Sequence, residues 1–134
     1  MKVRELEGRE LDAWVAKALG WKHLGAIGTV EYTGHGFWCL SGANDWWETP
    51  EGERACGPCC GYPRHYSTEW EHGGPIIENH KIILAWEGGV AFAGVYRTGY
   101  QGIRHFGDTT SGTPSILVAA MRCLVASSFG EEVP

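Results

Sequence analysis

The sequence predicts an α+β fold: an α-β-α sandwich, with a mainly antiparallel sheet and an N-terminal and a C-terminal helix packed on it. Three observations predict it. An amphipathic stripe sits near each end of the chain, a two-glycine hairpin signal lies between them, and the strand leading into that hairpin is apolar on both faces. At 134 residues the chain suits one domain, spanning 1–134, with a Cys/Gly/Pro-rich loop at about 41–65.

The first helix is expected over 9–19, where Leu11, Trp14, Val15, Ala18 and Leu19 fall at helical spacing. Gly20 follows as a C′ residue able to take positive φ. Two strands, 26–33 and 36–40, could pair across Gly34-His35. The stronger hairpin joins 81–87 to 90–97 through Gly88-Gly89, which suits a primed turn. In its first strand Ile82, Leu84 and Trp86 alternate with Ile83 and Ala85, the pattern of a sheet covered on both sides.

The last helix starts near Thr113 as cap and Pro114 as first helical residue, and Gly130 ends it. Ile116-Leu117, Ala120-Met121 and Leu124-Val125 give its apolar repeat, and Cys123 reads as a small buried hydrophobe. Two stretches, 41–65 and 98–112, read as long loops.

Composition excludes several classes. Hydrophobic residues make 43% and charged residues 20%, a globular balance rather than a disordered one. Eleven Lys and Arg against sixteen Asp and Glu give a net charge of −5. The basic residues are scattered, which argues against a counterion-displacing grip on nucleic acid. No apolar run approaches the ~18–20 residues that span a bilayer, so no membrane partner is expected. The segment from Met1 to Glu7 has no apolar core of a secretory signal, and the expected location is the cytoplasm. Twenty glycines and seven tryptophans are interleaved along the chain, which points to many turns rather than a linker.

The sharpest local signal is Cys56-Gly57-Pro58-Cys59-Cys60, with His65 beyond it. Cys56 and Cys59 have the spacing of a thioredoxin-like redox pair, whose first thiol is activated at a helix N-terminus. Gly61 and Pro63 would break such a helix. The same two thiols have zinc-knuckle spacing, with Cys60 or His65 as a third ligand. A fourth would have to come from Cys39, His35 or His72. The preferred reading is a tight loop of cytosolic thiols without a resident cofactor, zinc being the alternative.

From Tyr66 to Glu78, Ser67 or Thr68 could cap a single helical turn. Thr68 with Glu71 has capping-box spacing, and Gly73-Gly74 would stop the turn before Pro75 restarts the chain. The functional alternative is a ligand shelf: Tyr66 and Trp70 as flat faces, Glu69 and Glu71 as acceptors, Gly73 and Gly74 as exposed backbone donors. Trp46-Trp47 reads as a lid on a sheet edge in preference to an exposed platform. Nucleophile elbows, phosphate loops, dinucleotide fingerprints and His-Glu-x-x-His are absent from the sequence.

Three segments carry a resemblance. They are Leu6-x-Gly8-x-x-Leu11-Asp12-x-Trp14-Val15-Ala16-x-Ala18-x-Gly20, then Tyr66 to Trp70 with Gly73-Gly74-Pro75-Ile76-Ile77-Glu78, then Gly112-Thr113-Pro114 through Ala119-Ala120-Met121-Arg122 to Phe129-Gly130. Taken together they resemble the phage ABA sandwich domain, a group of phage and prophage proteins of unknown function. Members commonly carry Asp at the position of Glu69, and the Cys56–Cys60 loop lies outside their pattern. The resemblance implies a helix–sheet–helix fold and the cytoplasm of a bacterial host. It carries over no catalytic residues.

The leading expectation is therefore a non-enzymatic accessory protein that binds a host protein or a small cytosolic ligand, with a role in counter-defence as its sharper form. In that form Trp70 and Tyr66 would stack on a base while Arg97 and Arg104 neutralise phosphate. Two alternatives differ in class. One is a small zinc-dependent or His/Glu-based enzyme using Glu69, His72 or the cysteines. The other is an oligomerising module whose tryptophans supply the contact between copies.

Overall fold

A computed structural model describes residues 1–25, 31–32, 38–39, 46–52, 54–56, 64–96, 103–105 and 115–134. In chain order the elements are α1 (Gly8–Ala18), β1 (Lys22–Gly25), β2 (Glu31–Tyr32), β3 (Trp38–Cys39), β4 (Trp46–Glu48), β5 (Arg54–Cys56), α2 (Trp70–Asn79), β6 (Ile83–Glu87), β7 (Val90–Tyr96), β8 (Ile103–His105) and α3 (Ile116–Phe129). Every described strand pair is antiparallel. The α+β class, with a helix near each end, is the one the sequence predicts. The chain divides into two compact units, one of residues 1–15 with 65–134 and one of residues 16–64.

The first unit is organised by α3. Ser115 is its N-cap, the hydroxyl accepting the Val118 N–H at 3.2 Å. Thr113 and Pro114, the expected start, lie outside the described residues; the cap itself falls at Ser115. Gly130, at φ +92°, closes the helix, its N–H donating to the Ala126 carbonyl at 2.8 Å. From Leu117 to Ala126 every residue but Val118 is buried, as expected of a helix apolar on all sides. Sheet β6-β7-β8 supplies one neighbour, through β7 and β6, while α2 and a 3₁₀ turn at Val3–Glu5 supply others. Trp14 of α1 meets Phe129 edge-on, ring centroids 5.5 Å apart. Cys123 is buried as predicted, and burial pushes its thiol up to about 12.

The hairpin signal is also realised. Ile83↔Gly94 through Glu87↔Val90 pair in register around Gly88 and Gly89, whose φ of +59° and +78° are those of a primed turn. Burial is less even than the two-sided pattern predicts. Ala91 and Ala93 are buried, yet Trp86 is 57% exposed. The stretch read as loop over 98–112 contributes β8, which pairs with β7 from Gly94↔His105 to Tyr96↔Ile103. Two further backbone bonds clasp the ends of this unit: Val3 N–H to the Glu131 carbonyl and Val133 N–H to the Met1 carbonyl, each at 2.9 Å.

On α1 the buried positions are Leu11, Asp12, Val15 and Ala16, while Trp14, Ala18 and, one residue past its end, Leu19 are half-buried. The buried face is thus rotated from the predicted stripe, toward Asp12. A second buried charge lies on α3, where Arg122 donates from Nε to the Leu6 carbonyl at 2.8 Å. Desolvation lowers the Arg122 pKa, and the nearby Glu7 charge acts in the opposite sense.

In the second unit, α1 ends on the glycine the sequence marks. Gly20 takes φ +97°. Its N–H donates to the Lys17 carbonyl at 3.1 Å and the Trp21 N–H to the Ala16 carbonyl at 3.0 Å, the paired bonds of a Schellman motif. Strand β4 lies between β1 and β5. Trp46 and Trp47 are its first two residues and both are fully buried. They form the middle of a sheet, where the sequence read a lid at a sheet edge. Trp47 meets the His23 ring of β1 at 4.6 Å. Strands β4 and β5 both fall within the 41–65 stretch read as loop. Glu31↔Cys39 and Tyr32↔Trp38 pair about residue 35, where the sequence places a hairpin; the rest of 26–40 lies outside the described residues.

Candidate functional site

The residues singled out from Tyr66 to Gly74 form the start of α2 and the turn before it. The His65 carbonyl accepts the N–H groups of Thr68 and Glu69 at 3.3 and 2.9 Å, which turns the chain into the helix. Ser67 is anchored from afar: its N–H donates to Asp12 Oδ1 at 2.8 Å. Asp12 is 1% exposed, and its other oxygen meets Arg9 Nη1 at 3.3 Å. The same Arg9 nitrogen lies 3.3 Å from His65 Nδ1. Arginine only donates, so this contact is made by an imidazole whose Nδ1 accepts. The Ser67 hydroxyl is buried without a hydrogen-bond partner among the described residues.

Sequence spacing alone could not find this network. Its members lie 55 residues apart. The one local signal is Asp12 itself, a carboxylate beside the apolar positions Leu11 and Val15.

The helix differs from the expected single turn. It begins one residue later than the Thr68–Glu71 capping box requires, with Glu69 as an N-cap that makes no side-chain cap bond. It then runs unbroken through Gly73, Gly74 and Pro75 to Asn79. Gly73 is there for room: a Cβ would collide with the Tyr66 carbonyl oxygen and come within 2.5 Å of Leu117 Cδ1 on α3. Gly74 has open space, its nearest neighbour being Trp70 Cε3 at 3.9 Å from a built Cβ. The helix closes with a second Schellman pair, Lys81 N–H to the Glu78 carbonyl at 3.3 Å and Ile82 N–H to the Ile77 carbonyl at 3.0 Å. Here Lys81 occupies the left-handed position, at φ +55°.

The shelf residues are placed unequally. Trp70 is 56% exposed, whereas Tyr66 is 6% exposed and so presents no open face for stacking. Glu69 Oε2 meets His72 Nε2 at 3.2 Å, both partly open to solvent. This pair can orient and charge-stabilise an imidazole, and among the described residues the Ser67 hydroxyl pairs with neither His65 nor His72. Arg104 lies on β8 opposite Val95; Arg97 lies outside the described residues.

Of the proposed metal ligands, Cys56 ends β5 in one unit and His65 lies in the other. Cys59 and Cys60 lie outside the described residues. Among the described residues no group of three or more His, Cys, Asp or Glu side chains is placed to hold a metal ion. Nor is any described helix long and apolar enough to cross a membrane.

A family model described as Bacteriophage P22, NinX matches residues 2–128. Comparison with curated proteins returns no match.

Proposed function

The chain belongs to the Bacteriophage P22 NinX family, and on that premise we propose that it is a phage- or prophage-encoded accessory protein that binds rather than transforms its target. The target is a host protein or a small cytosolic ligand, met in the bacterial cytoplasm, and counter-defence is the setting in which such a binder is useful. The observation that carries this reading is Trp70: a large indole left 56% exposed at the head of a helix otherwise fastened from two sides. One fastening is the Asp12–Ser67 bond, and the other is the close approach of Gly73 to Leu117. An apolar ring held open on a rigid support is what an interface anchor requires.

The likeness to the phage ABA sandwich domain is a finer form of the same assignment. It is supported by α3 lying on the β6–β7 pair and by the three matching sequence segments. We take the chain as one such domain with the Cys-rich insertion as its own feature.

Native mass spectrometry of protein purified under reducing conditions without chelator tests the reading. A copurifying small molecule, or a host protein retained in stoichiometric amount, supports it. A bare monomer mass together with no retained host protein overturns it. The Glu69–His72 pair at 3.2 Å favours a His/Glu-based enzyme as the second reading. A zinc adduct lost on Cys56→Ser or Cys59→Ser would move the case toward the zinc-dependent form, and a homo-oligomer mass toward the structural module.

A further inference from the structure

We propose that the outer face of α2 docks an arginine-bearing, positively charged segment of a protein partner, an inference that rests on the binding reading above. Along α2 the exposed positions are Trp70, Glu71, Pro75, Glu78 and Asn79. At 100° per residue these fall within one side of the helix, opposite the buried Gly73 and Ile76. Gly74 sits in the row between Trp70 and Glu78. A Cβ there would meet nothing nearer than Trp70 Cε3 at 3.9 Å, so the face carries open space beside the indole, on the side of the helix that also bears Glu71 and Glu78.

Among the described residues neither the Glu71 nor the Glu78 carboxylate takes part in an ion pair or a hydrogen bond. Glu78 also lies in the last turn of α2, a turn with no basic residue, where the helix dipole disfavours an anion. A cationic partner would reverse that penalty. A guanidinium fits the whole arrangement better than an ammonium: its plane stacks on the indole face while its fork pairs with carboxylate oxygens. The exposed ion pairs alone would add little, so Trp70 is the anchor and the glutamates select charge. A net charge of −5 on the full chain steers such a partner toward it.

The test is a titration of isotope-labelled full-length protein with a hexapeptide of alternating Gly and Arg at low ionic strength, followed by nuclear magnetic resonance. The expected result is that the Trp70 indole and α2 amide signals shift. The same peptide with citrulline in place of Arg leaves them unmoved. Trp70→Ala, Gly74→Leu and the double change Glu71→Gln with Glu78→Gln should each weaken binding about tenfold or more, with circular dichroism confirming the fold. No shift with the Arg peptide, shifts confined to another surface, equal response to citrulline, or undiminished binding by the Trp70→Ala and Gly74→Leu proteins would each overturn the docking face. A host protein retained equally by wild type and Trp70→Ala would sink this face and leave the binding reading standing. No host protein or ligand retained by wild type would sink the reading itself.

Discussion

Asp12 and Ser67 meet across 55 residues: the buried carboxylate of α1 accepts the backbone N–H of the turn that leads into α2, at 2.8 Å. The bond joins the N-terminal helix to the exposed Trp70 segment, and Arg9 stands beside it at 3.3 Å from the second carboxylate oxygen. A backbone donor inside the protein has no water to fall back on, so its acceptor matters more than an exposed one would. Asp12→Ala should therefore cost roughly 2 kcal/mol in urea unfolding. Asp12→Asn keeps an acceptor without the charge, and should recover part of that loss. Equal stability of Asp12→Ala and wild type would refute the role.

The adjacent glycines of α2 should respond oppositely to one methyl group. Gly73→Ala forces a Cβ against the Tyr66 carbonyl and Leu117, and overpacking of this kind costs about 1–3 kcal/mol. Gly74→Ala meets open space and replaces a poor helix former, gaining roughly 0.5–1 kcal/mol. Thermal unfolding of the two proteins settles the assignment: Tm should fall for the first and rise for the second.

Backbone handedness gives a second contrast. Lys81 stands in the left-handed position that glycine takes at Gly20, so Lys81→Gly should stabilise by about 1 kcal/mol. In the β6–β7 turn, Gly88→Asn should be tolerated, and Gly88→Val should lower stability by more than about 1 kcal/mol. Denaturant midpoints at constant m-value would show both.

Cys123 predicts a pH dependence. Burial raises its thiol from 9.0 to about 12, so the folded state holds a proton that the unfolded state releases first. Its contribution is complete below pH 9 and declines as pH climbs toward 12, by about 1.4 kcal/mol per pH unit. Other groups titrate in this range, so the measurement is the difference in slope between wild type and Cys123→Ala. Parallel slopes would contradict it. In native protein at neutral pH, peptide mapping after maleimide treatment should find Cys123 unlabelled.

What the sequence revealed was what local chemistry dictates. Gly88-Gly89, Gly20 and Gly130 marked a turn and two helix ends because only a few residues tolerate those dihedrals. The apolar repeats of α1 and α3 announced helices near both ends. Long-range decisions stayed hidden. Gly73 looks like a helix breaker until Leu117 is found packed against it, and Pro75 then lies within a helix that tertiary contact sustains. Asp12 looks like a solvent-facing acid until Ser67 turns its N–H toward it. Tyr66 and Trp70 read alike as aromatic faces, and only folding separates the buried ring from the open one. Strands β4, β5 and β8 are three residues each, too short to show a period against their Gly-, Pro- and Cys-rich surroundings.

The division of the chain has a consequence for its synthesis. One compact unit is built from residues 1–15 and 65–134, with residues 16–64 forming the other between them. As the polypeptide leaves the ribosome, the second unit is contiguous and can gather its own contacts early. The first fifteen residues must wait: Asp12 for Ser67, Leu6 for Arg122, Val3 for Glu131. Each closure spans a longer loop than the one before, and loop entropy grows with length. Helix α1 is thus made before all of these partners and is among the last elements to find its place, its apolar face open to misassociation, or to a chaperone, while they are synthesised.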